Sequence, residues 1–138
     1  MPNYCENDLV ITGPKADIAA FLDAAHQTDE DGDEMPISLK RLVPVPDDWR
    51  KRNWGTKWDL FDFSNPKTSQ GGRRYRVSFL TAWLPPATAI EIIAEQFPTL
   101  KFSLRYYEAG NGFKGCLVVK GTEVLEQWDG DYRGSRGG

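Results

Sequence analysis

Two amphipathic stripes, a set of segments that alternate with period two, and proline and glycine punctuation between them predict an α+β fold. In that fold two helices cover one face of an antiparallel sheet. The clearest strand runs from Arg74 to Trp83, where Tyr75, Val77, Phe79, Thr81 and Trp83 alternate with Arg76, Ser78 and Leu80. The stripes are Ile18, Phe21, Leu22 and Ala25, and then Ile90, Ile93, Ala94 and Phe97, each recurring at the spacing of one helix face. A chain of 138 residues is expected to hold a single domain, assigned to 1–128. Residues 129–138 are charged, rich in glycine and without an apolar face, and read as a flexible tail.

Taken in order, Leu9 and Ile11 alternate with Val10 and Thr12 as a strand, and Gly13-Pro14 turns the chain into a helix from about Lys15 to His26. The acidic stretch Asp29-Glu30-Asp31-Gly32-Asp33-Glu34 breaks the pattern and reads as a mobile loop. Its spacing does not match a calcium-binding loop, so no metal site is assigned. Ser38 to Pro46 reads as a short extended element, because Pro44 and Pro46 forbid a long helix. Leu60 to Ser64 is a short strand, and Asn65-Pro66 with Gly71-Gly72 marks the connection to the Arg74 strand.

Pro85-Pro86 opens the second helix and Pro98 closes it. Lys101 to Tyr107 alternates again and forms a hairpin with Phe113 to Lys120 across Gly110-Asn111-Gly112, and Thr122 to Trp128 adds a last short strand. The order is β-α-β-β-α-β with one or two added strands, which is the split βαβ arrangement.

Composition narrows the function classes. With 17 basic and 20 acidic residues and a net charge of −3, the chain has no general attraction to phosphate backbones, so nucleic-acid binding needs a local patch. No apolar run approaches the roughly 20 residues that span a bilayer. Met1 to Glu6 lacks a basic-then-apolar leader, so a cytoplasmic location is the default expectation. Cys5 and Cys116 lie far apart and read as small buried side chains rather than a cross-link or a metal cage. His26, the single histidine, sits at a helix end and reads as a surface residue. No phosphate-cradling glycine loop or nucleophile elbow is written in the chain, and no cofactor is expected.

Several segments together carry a resemblance: Asn3-x-Cys5-x-Asn7, Leu42-Val43-Pro44-x-Pro46, Asn53-Trp54-Gly55-Thr56-Lys57-Trp58-Asp59, Phe79-x-Thr81-Ala82-Trp83-x-Pro85-Pro86, and Tyr107-Glu108-x-Gly110. Over about Asn3 to Gly121 the chain resembles the YubB ferredoxin-like, or Api-type, family of phage- and plasmid-encoded proteins. That resemblance implies a ferredoxin-like fold and an origin on a mobile genetic element, and it carries no catalytic residues over. The acidic insertion and the carboxyl-terminal tail depart from the family pattern.

The segment from Asn53 to Asp59 is too aromatic for a solvated loop and too polar for a core element. Trp54 and Trp58 either plug one end of the sheet or, with Lys57, Arg50, Lys51 and Arg52, present an adhesive surface to a partner. The surface reading makes the chain a non-enzymatic binding protein, and the implied origin suggests a host or competitor defence complex as its target. Two alternatives stand beside it. One is a small enzyme or nucleotide-binding regulator with a site near Glu108 and Trp83, Glu108 serving as a base. The other is a single-stranded nucleic-acid module using Arg50 to Arg52 together with Arg73, Arg74 and Arg76, although the RNA-recognition signature is absent.

Overall fold

Strand β1, Tyr4–Thr12, alternates as a strand on a core must: Cys5, Asn7, Leu9 and Ile11 are buried, and Tyr4, Glu6, Asp8, Val10 and Thr12 are partly or fully exposed. The computed structural model describes residues 3–131. Gly13 follows β1 with its N–H on the Arg73 carbonyl, and a Cβ there would meet Leu100 at 2.6 Å, so the turn admits only glycine. Helix α1, Lys15–Ala25, then lays Ile18, Phe21 and Ala25 on the sheet.

The acidic stretch is an ordered turn rather than a mobile loop. Strands β2, Gln27–Thr28, and β3, Glu34–Met35, pair as a small hairpin around it. Asp29 Oδ1 accepts the Asp31 and Asp33 N–H groups at 2.9 Å each, and Gly32 supplies the positive φ of 84°. His26 at the end of α1 pairs with the Glu34 carboxylate across this hairpin.

The segment expected to be extended before Pro44 instead forms a helical turn, α2, Leu39–Leu42. Its cause is distant in sequence. Asp59 accepts the Leu39 N–H at 2.8 Å and the Lys40 N–H at 3.2 Å, acting as an N-terminal cap from twenty residues away, while Leu39 and Leu42 point inward. A 3-10 turn at Asp47–Trp49 leads into α3, Arg50–Trp54, which Gly55 ends in the left-handed conformation at φ 83°.

The remaining elements are β4 (Phe61–Ser69), β5 (Arg74–Ala82), α4 (Ala87–Gln96), β6 (Lys101–Glu108), β7 (Phe113–Lys120) and β8 (Glu123–Asp131). Two expectations change here. Strand β4 runs beyond Ser64 through Asn65-Pro66, with register shifts at positive-φ Asp62 and Asn65, which lets an edge strand tolerate a proline. Residues 129–131, assigned to the tail, continue β8 in register with β7, and 132–138 lie outside the described residues.

The large sheet has the order β4-β5-β1-β6-β7-β8, with all its neighbours antiparallel. β1, β4, β5 and β6 make the split βαβ unit, and β7 and β8 extend it. Helices α1 and α4 share one face, where Phe21 meets Phe97 and Phe102 edge-on at 5.1 and 5.5 Å. Among the described residues the opposite face carries no helix. Among the described residues no helix is long and apolar enough to cross a membrane.

Burial has a measurable consequence at high pH. It pushes the Cys5 thiol up from 9.0 to about 12, a hydrogen bond with Thr81 opposing only in part, and it raises Tyr75 and Tyr106 as well. The folded chain keeps protons that the unfolded chain gives up, so this contribution is intact below about pH 9 and is lost as the pH climbs toward 12. Urea midpoints should therefore fall steadily above about pH 9. Cys5 should resist thiol reagents at neutral pH until urea unfolds the chain.

Candidate functional site

At the end of the sheet where β1 begins and β5 stops, the chain makes an unusual turn. Trp83 has φ 69°, and the Leu84 N–H donates to the Ala82 carbonyl at 2.8 Å, closing three residues into the rare, strained hand of the γ-turn. A bulky residue in that backbone region costs on the order of 1–3 kcal/mol. The strand alternation puts Trp83 on one face with Phe79 and Thr81. The turn takes it out of the strand, and its side chain is 40% exposed.

Hydrogen bonds hold the turn from three sides. The Trp83 N–H donates to the Asn3 carbonyl at 2.8 Å. The Thr81 hydroxyl donates to the Leu84 carbonyl at 2.7 Å and itself accepts from the Asn7 amide at 2.9 Å. The Thr56 hydroxyl donates to the Ala82 carbonyl at 2.8 Å, and Gly55 sits so close to Pro85 that a Cβ would lie 3.0 Å from its carbonyl oxygen. Asn7, Thr56 and Thr81 are all buried, so the Asn7–Thr81 and Thr56–Ala82 bonds are shielded from water.

Trp58, 38% exposed, lies 6.3 Å from the Phe61 ring, and Phe61 meets Tyr4 edge-on at 5.3 Å. Tyr4 pairs in register with Ala82, immediately before Trp83. Trp83, exposed Leu84, Tyr4, Phe61 and Trp58 thus form an aromatic rim at one end of the sheet, with exposed Lys57 and Arg52 nearby in the chain. Arg52 lies 5.2 Å from the Trp49 ring. Beside the rim, a groove of about 640 Å³ runs from Lys51 and Leu84 to Tyr106 and Asp131.

Trp54 does not belong to this surface. It is 0% exposed, its indole N–H donates to the Val43 carbonyl at 2.8 Å, and the Arg50 guanidinium lies 4.9 Å from its ring centre while also pairing with Asp47. Gly55 ends α3 directly after Trp54 and reverses the chain, so the two tryptophans part, one inward and one outward. Of the residues expected to bind, Trp54 and partly buried Arg50 serve the scaffold.

Glu108 is also structural. It is 0% exposed, and its two carboxylate oxygens accept the Gly110 and Asn111 N–H groups at 2.7 and 2.8 Å, leaving it committed to the turn rather than to a substrate. The expected basic stripe does not form either. Lys51 lies beside Leu84 and Pro85 at the rim, whereas Arg74 opens β5 at its opposite end. Asp29, Asp31 and Asp33 bring carboxylate oxygens within 4.8 Å of one another, but they are exposed and Asp29 is already engaged in its own turn.

The residues that sequence reasoning missed are Asn7, Thr56, Tyr4, Phe61 and Leu84. Asn7 and Thr81 did carry a signal: both are polar letters at core-phase positions of otherwise apolar strands, and such residues must find partners. All five quoted motif segments converge at this end. Asn3 packs on Gly110, Trp54 holds Val43, and Thr56 holds Ala82.

A family model described as the ferredoxin-like domain in Api92-like protein matches residues 53–136. The chain belongs to that family. The crystal structure of protein api92 from Yersinia pseudotuberculosis is similar over 98% of this chain and 99% of that one, with a TM-score of 0.62 and 10% identity. At that identity the likeness speaks for the fold. No curated protein matches the chain.

Two comparisons of variants separate scaffold from surface. Trp54→Ala should lower stability by about 3–5 kcal/mol in urea denaturation, as for a buried tryptophan, whereas Trp58→Ala should change it by about 1 kcal/mol or less. At position 83 the backbone itself is the probe. Trp83→Gly should be about 1 kcal/mol more stable than Trp83→Ala, because glycine alone adopts the positive φ without strain.

Proposed function

We propose that this Api92-like domain is a non-enzymatic binding protein whose adhesive surface is the aromatic rim of Trp58, Trp83, Tyr4 and Leu84, flanked by Lys57 and Arg52. The observation that carries this reading is Trp83, exposed in a strained turn that hydrogen bonds from Thr81 and Thr56 hold in place. Backbone strain of that kind persists where surrounding structure over-determines it, and it concentrates at sites of function. Exposed tryptophan, tyrosine and arginine are the side chains that dominate protein interfaces, since large rigid rings bury much area for little lost entropy. The commitment of Glu108 to its turn favours binding over chemistry at this end of the sheet.

The mobile-element origin implied by the family resemblance supports, as the partner, a host or competitor defence complex, protein or nucleoprotein, which the domain would block in the manner of an anti-CRISPR inhibitor. Affinity purification from host lysate with the wild-type chain should recover a specific complex, and the Trp58→Ala/Trp83→Ala variant should lose it while keeping its fold by circular dichroism. The wild-type chain, and not the variant, should protect invading DNA in cells that carry the defence system. Recovery of no specific complex together with no protection would overturn the proposal.

A further inference from the structure

The opposite end of the same sheet has a different chemistry. Residues that face one another across antiparallel strands lie on the same side of the sheet, so the register shows which side chains share the face that α1 and α4 leave bare. At its far end one row runs Arg74, Thr12, Lys101, Lys120, and the next runs Lys67, Arg76, Val10, Ser103, Val118. Five cations thus occupy two adjacent rows, and among the described residues none of them is in an ion pair. The carboxylates that continue these rows, Glu123 and Glu126, stand on the edge strand β8. In a chain of net charge −3 this is a local concentration of positive charge.

Two further features give the band a shape. Lys101 and Lys120 flank a cavity of about 530 Å³ whose other walls include Thr12, Thr99, Pro14 and Pro98, with no carboxylate among the described residues of its lining. In the second row Val10 and Val118 are partly exposed apolar positions on either side of Ser103, and Glu126, next to Val118, accepts the Trp128 indole N–H at 2.9 Å. These positions lead toward Trp128, an exposed ring whose register partner Cys116 lies on the same face.

We infer that the bare face of the sheet binds single-stranded nucleic acid, with phosphates along Lys67, Arg76, Arg74, Lys101 and Lys120 and bases over Val10 and Val118 toward Trp128. Cations alone attract any polyanion. The apolar positions beside them take the open faces of unpaired bases, which a duplex keeps stacked away. This surface is separate from the aromatic rim, and the inference stands or falls independently of the rim's partner. If both hold, the target is a nucleoprotein complex gripped at two ends of one sheet.

The test uses the full chain and fluorescein-labelled oligothymidylate and oligouridylate of about 20 nucleotides, with polarisation followed across a salt series. Five phosphate contacts predict a log–log salt slope of about −3.5 and a loss of affinity of about a hundredfold between roughly 50 and 200 mM salt. Lys101→Gln/Lys120→Gln should make the slope shallower by about 1.4, and Trp58→Ala/Trp83→Ala should leave it unchanged. Arg74→Gln/Arg76→Gln provides a second variant should the first fail to fold, as judged by circular dichroism. No binding at the lowest salt, an unchanged slope in the charge variants, or equal competition by a duplex or by polyphosphate would each overturn the inference.

Discussion

Strand β1 is the constraint on which the rest depends, because among the described strands it is the one that pairs with both halves of the large sheet. It pairs with β5 on one side and β6 on the other, joining the part that follows α1 to the part that follows α4. Its pleat also divides the protein. Cys5, Asn7, Leu9 and Ile11 face the helices, while Glu6, Asp8 and Val10 face the bare side. A slip of one residue would exchange those sets and bury two carboxylates in the core, a cost that pins the register. The two ends of this strand, about 26 Å apart at roughly 3.3 Å per residue, mark the two surfaces to which roles are assigned.

At the Tyr4 end, a polar core residue serves an exposed aromatic one. Asn7 occupies a position where an apolar side chain would pack more simply, yet its amide holds the Thr81 hydroxyl, which in turn holds the carbonyl beyond Trp83. Each of these bonds contributes about 1 kcal/mol net, comparable to the strain that the turn stores, so the arrangement is stable only as a unit. Thr56 braces the same turn from the α3 side. The different environments of Trp54, in the core, and Trp58, at the surface, follow from the left-handed Gly55 between them.

Much of the architecture was legible because it is written in periodicity. The stripes of α1 and α4 and the alternation of β1, β5, β6 and β7 depend on residues a few positions apart, whose side chains share a face by helix or strand geometry alone. The turn α2 was illegible because its cap, Asp59, arrives from another part of the chain. The outward course of Trp83 was illegible for a similar reason: alternation puts it on one face with Phe79 and Thr81, and only contacts from Asn3, Thr56 and Thr81 turn the backbone aside. Strand β8 reads as tail beyond Trp128 because every residue in it is exposed, and only pairing with β7 extends it.

The sequence by itself determined the fold class, the order of the main strands β1, β4, β5, β6 and β7 with helices α1 and α4, and the family, since local pattern and motif spacing are properties of the chain. The tertiary structure decided which aromatic residues are core and which are surface, and which cations gather. Burial and register are set by neighbours brought from far away: Val43 over Trp54, Asn3 against Trp83, and Lys120 beside Lys101.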